Sequence, residues 1–428
     1  MIYIYRILIF PIFFILFLKN CLKFIRRGGY FSHIKHYFGC YNLPPKTAKK
    51  RLWIQAVSVG EVNAISELVK QLSDDFEIFL TTTSSTGYKI IEQKLQKYCI
   101  GYGFFSLDFW FAKKISLKTI QPDAIILAES ELWPEHIYQA KANNLPIFLI
   151  NARLSHKSFL RYKKFPKLTN LLLKNIDHIL ASSAEYQNYF QQLTTTPVEY
   201  FGNMKFDKNF LHLTAEQREI LKKEFGFLAN SLVVTGCSTW PQEEEMLLNI
   251  VKNINNHNKN LDVRLLLIPR HAERAPEIVE LLNKNNVQYI QRSKVLSGNI
   301  QENSNDFVDV YLADTTGEMS RLIQVSDVCV VGKSFYDNHC GQSPLDAAAA
   351  GIPIFYGNNM ENFRDICESL ENNHLAQRIS NPQELESEIL NLLNNPEKRQ
   401  DWSDKLLAWY QKNQGATTRT VEYIKQRF

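Results

Sequence analysis

From Leu52 onward, short apolar runs rich in β-branched and aromatic residues alternate with longer segments whose apolar positions recur every three or four residues. The first rhythm fits strands and the second fits amphipathic helices. In the first half the runs fall at 52–57, 76–82, 100–105, 124–129, 147–152, 178–182 and 198–201. Between them lie helix-like stretches such as VNAISELVKQL at 62–72 and GYKIIEQKLQK at 87–97. A second series begins after GNMKFDKN at 202–209, with runs at 232–236, 263–268, 287–290, 308–313, 328–332 and 352–356. Beyond Pro382 only helical periodicity remains, and SGNIQENSND at 297–306 reads as a polar loop. Strand and helix in alternation predict parallel sheets covered on both faces. The expected fold is therefore α/β: two Rossmann-like, doubly wound domains at 28–207 and 208–400, facing across a cleft, with a helical tail at 401–428.

Residues 1–27 follow a different pattern. IYIYRILIFPIFFILFL at 2–18 is apolar apart from Arg6 and is followed by Lys19, Lys23, Arg26 and Arg27. Seventeen helical residues reach roughly 25 Å against a bilayer core of about 30 Å, so a marginal span and a tilted or embedded anchor are both open. No small-residue cleavage site follows, so the segment is expected to stay as an anchor. The basic flank then places the body on the cytoplasmic side.

Charge sharpens this division. The net +5 conceals ten Lys or Arg and no acidic residue in the first sixty positions, leaving 39 basic and 44 acidic side chains in the remainder. A basic, aromatic-rich start on a mildly acidic body points to a membrane surface. The body has no basic stripe, so no nucleic-acid partner is expected. The seven cysteines are scattered, without CxxC spacing, and read as reduced thiols rather than as a disulfide or metal framework.

In doubly wound sheets ligands gather at the carboxyl ends of strands, so chemistry is sought there. Glu61, the first acidic residue of the chain, follows Gly60 where a strand turns into a helix. Such a carboxylate serves the helix dipole, and it also stands where a ligand would bind. AESELWPE at 128–135 puts Glu129 and Glu131 two residues apart on one side of a strand end, as hydroxyl-binding groups or as a strand-exit cap. Trp133 and Pro134 read as packing at a helix start.

In the second half, Ser238 and Thr239 lie between a strand and a helix expected to carry Pro241 in its first turn, a place for a phosphate or for ordinary capping. Arg270 and His271 follow a fully apolar strand, which favours phosphate contact over a surface ion pair. Gly317, Glu318 and Met319 open another helix. Ser343 is expected as an N-cap with Pro344 at the first helical position, and Asp346 as a ribose-binding or dipole-compensating acid. Together these junctions suggest a nucleotide phosphate and its ribose.

The ordered set AVSVGEV (56–62), TTTSSTGY (81–88), AESELWPE (128–135), NARLSHKS (151–158), GNMKFD (202–207), PRHAER (269–274), DTTGEM (314–319), GQSPLDAAAAGIP (341–353) and NFRDI (362–366) closely resembles the Kdo transferases. These are the 3-deoxy-D-manno-octulosonic acid transferases of lipopolysaccharide synthesis. The resemblance runs from the anchor to about residue 370. Two departures stand out. Ser343 and Asp346 occupy places where the family usually has Asn and Glu, and Gly332-Lys333 replaces its usual Gly-Gly.

The resemblance implies a glycosyltransferase-B fold, CMP-Kdo as donor, a lipid A precursor as acceptor, inversion at the anomeric carbon and attachment to the inner membrane. It implies no cofactor, and the arrangement requires no metal. It also makes Glu61 the catalytic base, with Glu131 as a competing choice, and gives CMP to the C-terminal domain. On that reading Arg270 faces the departing phosphate, assisted by His271, Ser238, Thr239 and the helix start at 317–319. Lys205 is the expected partner of the Kdo carboxylate. Arg153, with Lys157, Arg161, Lys163 and Lys164, suits acceptor phosphates or forms a solvated basic face.

Overall fold

The computed structural model describes residues 2–27, 33–298 and 307–428, with side chains from 16 to 27 left aside. The expected polar loop lies outside the described residues from 299 onward, as do the junction at 28–32 and the side chains of Lys19, Lys23, Arg26 and Arg27.

The chain divides into two compact units, Met1–Lys208 with Asn413–Phe428, and Asn209–Lys412. Among the described residues of unit 1, seven parallel strands form one sheet: β1 (Arg51–Gln55), β2 (Glu77–Thr82), β3 (Gly101–Phe104), β4 (Ala124–Ala128), β5 (Ile147–Ala152), β6 (His178–Ala181) and β7 (Val198–Tyr200). Their order is β3-β2-β1-β4-β5-β6-β7, so the winding reverses between β1 and β4. Alternate residues of each strand feed two separate cores. Leu52, Ile54, Ile78, Leu80 and Ile126 pack on one face, and Trp53, Phe79, Ile125, Leu127 and Leu149 on the other. This is why the runs are apolar at nearly every position rather than at every second one.

Unit 2 repeats the plan with β8 (Leu232–Thr239), β9 (Val263–Pro269), β10 (Tyr289–Gln291), β11 (Val310–Leu312), β12 (Val328–Val331), β13 (Ile354–Tyr356) and β14 (Ala376–Arg378). Their order is β10-β11-β9-β8-β12-β13-β14, and the reversal lies between β8 and β12. Both faces are again covered, by cores containing Val234, Leu265 and Val330 on one side and Val233, Leu266 and Tyr311 on the other.

Three expectations change. The tail does not behave as one appendage from 401. Helix Pro396–Lys412 belongs to unit 2, whereas helix Ala416–Lys425 packs in unit 1. There Ala416, Val421 and Ile424 join the core, the Asp207 carboxylate accepts from the Gly415 and Thr417 N–H groups, and Arg419 donates to the Phe201 carbonyl. Pro241 precedes its helix, which starts at Glu243 after a left-handed Gln242. Ser343 is not the N-cap; Pro344 is, and the Ser343 hydroxyl accepts from Leu345 N–H at 3.3 Å.

The N-terminal segment forms one helix, Ile2–Arg27. Its start is bolted to unit 1. Arg6 makes two hydrogen bonds of 2.8 Å to the fully buried Glu135, Tyr5 donates to Asp108 at 2.7 Å, and Phe10 stacks on Phe109 at 4.5 Å. Elsewhere the helix exposes Tyr3, Ile4, Ile7, Leu8, Ile12, Phe14 and Ile15. Among the described residues no helix is long and apolar enough to cross a membrane.

Candidate active site

Both switch points collect polar side chains. In unit 1, β1 runs through Ala56 and Val57 into helix Val59–Ala64, capped by Ser58. Glu61 is the third residue of that helix. Its N–H donates to Ser58 Oγ at 3.2 Å, while its carboxylate accepts from Val57 N–H and from the Ser58 hydroxyl, each at 2.8 Å. The capping role open to this residue is therefore real. The side chain is nevertheless only half-buried, and each oxygen retains accepting capacity. A Cβ at Gly60 would meet only Ser58 Oγ, at 3.8 Å, so the space over the helix start is open. Burial raises the Glu61 carboxyl above its usual value, against the Val57 N–H and Ser58 hydroxyl; the Glu129 charge adds to the rise and Lys205 opposes it.

Glu129 follows β4, on the other side of the switch point. It lies in the left-handed region at φ 56° and is held by Lys205 Nζ at 2.7 Å and Arg153 at 3.4 Å. Asn151 lies in the same region at φ 49°, where the β5–β6 register shifts, and its side-chain oxygen accepts from Met204 N–H at 3.1 Å. A bulge of this kind redirects side chains beside a site. Here it ties β5 to the Met204–Asp207 turn that carries Lys205. Lys205 and Arg153 are thus engaged with Glu129. Lys157 in the first turn of helix His156–Lys164 and Arg161, Lys163 and Lys164 in its last turn are all exposed.

Glu131 turns to Trp133, whose indole N–H donates to it at 2.6 Å, a partnership that packing alone does not suggest. Burial pushes the Glu131 carboxyl up to about 7, with the charges of Glu61 and Glu129 adding and the Trp133 N–H opposing. A carboxyl raised on folding contributes stability that is fully present below its unfolded pKa and is lost as pH rises through the folded value. Between about pH 4.5 and 7 the wild type is therefore expected to lose roughly 2 kcal/mol relative to Glu131→Gln. Urea unfolding at pH 5 and pH 8 measures it, and a difference between the two proteins that ignores pH contradicts the assignment.

In unit 2, β8 carries a register shift between Cys237 and Thr239, with Ser238 at φ 57°. Thr239 Oγ1 is buried without a hydrogen-bond partner, and so is Trp240 Nε1. Arg270 N–H donates to the Thr239 carbonyl at 3.2 Å, which sets the exposed Arg270 side chain beside this junction. His271 meets the Trp240 ring edge-on at 5.5 Å. Cys237 Sγ contacts Met319 Sδ at 3.3 Å, drawing in the Gly317–Met319 helix start, where Gly317 has open surroundings. Glu318 is committed to Arg292 at 3.0 Å. The helix bearing Asp346 packs against the one starting at Met319. The unit thus gathers Ser238, Thr239, Arg270, His271 and Met319, with Asp346 on a neighbouring helix. Missed at the level of sequence was Glu243, whose buried carboxylate accepts from four backbone N–H groups. Among the described residues no group of three or more His, Cys, Asp or Glu is placed to hold a metal ion.

Two doubly wound units, one with carboxylates and the other with Arg270, His271 and two hydroxyl side chains at its switch point, make a two-domain α/β fold of the glycosyltransferase-B type. Residues 242–406 match the group 1 glycosyl transferases, and residues 32–208 match the family described as 3-deoxy-D-manno-octulosonic-acid transferase. A relative of that name from Rickettsia felis is 31% identical over 386 residues, 88% of this chain and 79% of its own. The Haemophilus influenzae protein of the same name is 29% identical over 94% of this chain and 92% of its own. The fold alone is shared with UDP-GlcNAc 2-epimerase from Neisseria meningitidis, at 12% identity and a TM-score of 0.56 over 88% of this chain and all of that one. The chain belongs to the 3-deoxy-D-manno-octulosonic acid (Kdo) transferase family.

Proposed function

We propose that this enzyme transfers Kdo from CMP-Kdo to a hydroxyl of a lipid A precursor in lipopolysaccharide synthesis, with inversion at the anomeric carbon. The observation that carries the reading is the unit 1 switch point, where a half-buried carboxylate with a raised pKa lies in the field of Glu129 and Lys205. The acceptor oxygen forms its bond to the anomeric carbon and passes its proton to Glu61, while the bond to the CMP phosphate breaks and CMP leaves with the electron pair. In unit 2, Arg270 and the N–H groups at Ser238, Thr239 and Gly317–Met319 meet the phosphate charge, with His271 and Ser343 beside them, and Asp346 takes the ribose hydroxyls. Lys205 and Arg153 hold the Glu129 carboxylate in place, and Glu131, near half-protonation at neutral pH, exchanges hydrogen bonds with sugar hydroxyls.

The Ile2–Arg27 helix is read as an anchor on the cytoplasmic face of the inner membrane, lying in the interface rather than spanning it. Its Arg6 is committed to Glu135, and its Ile7 and Phe10 line one groove with Trp110 and Lys114. Mass spectrometry of products formed from CMP-Kdo and a lipid A precursor tests the reaction. Calorimetry should find binding of CMP and none of UDP; the reverse result would remove the reading in favour of a UDP-sugar enzyme. Deleting residues 2–27 should abolish flotation with anionic vesicles.

A further inference from the structure

The unit 2 switch point holds a further cation, Lys333. Gly332 follows β12, and its N–H donates to the Cys237 carbonyl at 2.8 Å. A Cβ at Gly332 would lie 2.4 Å from the Ser238 carbonyl oxygen, so the exits of β12 and β8 are in close contact. The next residue, Lys333, lies in the left-handed region at φ 58°. L-residues with long side chains rarely adopt that conformation, and where they do the cause is often functional. Its N–H is fixed by the Glu243 carboxylate at 2.8 Å, and its ammonium stands over the Trp240 ring at 4.5 Å from the centroid. His271 meets the same indole, and Arg270 is hydrogen-bonded to Thr239. No carboxylate lies within ion-pair distance of Lys333 or Arg270 among the described residues, while the buried Thr239 hydroxyl and Trp240 indole N–H lack partners.

A cation–π contact alone is a weak reason to keep a lysine in a backbone conformation suited to glycine. We infer that Lys333 is an anion-binding residue of the donor site, taking one of the two negative groups of a nucleotide-activated acid sugar, its phosphate or its carboxylate. The inference rests on the CMP-Kdo reading. A monoanionic phosphodiester and a separate carboxylate call for two cations, and Lys205 is engaged with Glu129. Lys333 and Arg270 supply that pair at the point where strand order reverses.

The test uses the full chain with Lys333→Gly, which relieves the backbone, and Lys333→Met, which keeps the bulk over Trp240. If Lys333 binds the phosphate, the Kd for CMP and the KM for CMP-Kdo both rise roughly tenfold in both variants, less so at high salt. If it binds the carboxylate, CMP affinity is unchanged and only the KM for CMP-Kdo rises by about that factor. Either result supports the inference. Both variants staying within about twofold of wild type on both measures overturns it while leaving the CMP-Kdo reading intact. Wild-type protein that binds no CMP removes both.

Discussion

Glu61→Gln should lower kcat for Kdo transfer by roughly 10²–10⁴-fold while leaving CMP affinity unchanged. The substitution is nearly isosteric. The amide oxygen can still accept from Val57 N–H, and the amide nitrogen can still donate to Ser58 Oγ, so the start of helix Val59–Ala64 should hold. What disappears is the capacity to take a proton. Glu61→Ala provides the contrast, since it also loses the cap and should cost about 1 kcal/mol of stability. In the wild type the base works ionised, so the rate should fall as pH drops through a pKa that burial has raised. The glutamine variant should lose that limb. A variant turning over within about threefold of wild type would reduce Glu61 to a helix cap and pass the base role to Glu131.

How much of this was open to a reading of the sequence depends on distance along the chain. The strands of the first unit were legible because β-branched and apolar residues mark each of them, and burial on both faces removes the period-two ambiguity. β14 was missed because Ala-Gln-Arg carries no such signal and sits at a sheet edge. The helix after Trp240 was placed two residues early because a proline at a helix start is common, whereas here Gln242 takes a left-handed turn first. Glu61, Ser238 and Arg270 stand out in the sequence as candidates because a strand end is a local feature. Their partners do not.

Most of the contacts that escaped the sequence join distant segments, the Trp133–Glu131 pair being a local exception. Lys205 reaches Glu129 across 76 positions, and Arg6 reaches Glu135 across 129. In the sequence Arg6 is an interruption of an apolar segment, whereas in the fold it is the bolt holding that segment to the body. Lys205 similarly changes from a free cation awaiting a sugar carboxylate to the counter-charge of Glu129. The left-handed residues Glu129, Asn151, Ser238 and Lys333 carry no sequence mark either. They lie at or near switch points in both units, where close-packed strand exits over-determine the backbone.

Glu243→Gln is the change expected to damage unit 2 most. The carboxylate is 1% exposed and sits in the first turn of helix Glu243–His257. One oxygen accepts from Trp240 and Lys333 N–H groups at 2.8 Å each, and the other from Ser334 and Phe335 at 2.9 and 3.2 Å. An amide keeps one accepting oxygen and turns an NH₂ toward the other pair of N–H groups. Two buried backbone donors then lose their acceptor and face a like dipole, at about 1–3 kcal/mol each. A loss of roughly 3–5 kcal/mol in a unit of this size corresponds to a melting shift on the order of 10 °C. CMP binding should weaken as well, because the same carboxylate fixes the backbone of Lys333 beside Trp240. Glu244→Gln is the control. Its carboxylate pairs with Arg274 through side chains alone, so it should leave the loop after β12 in place and CMP binding near wild type. Calorimetric melting with and without CMP separates the two variants, and a Glu243→Gln protein melting within about 2 °C of wild type would show that something other than this carboxylate organises the β8–β12 crossing.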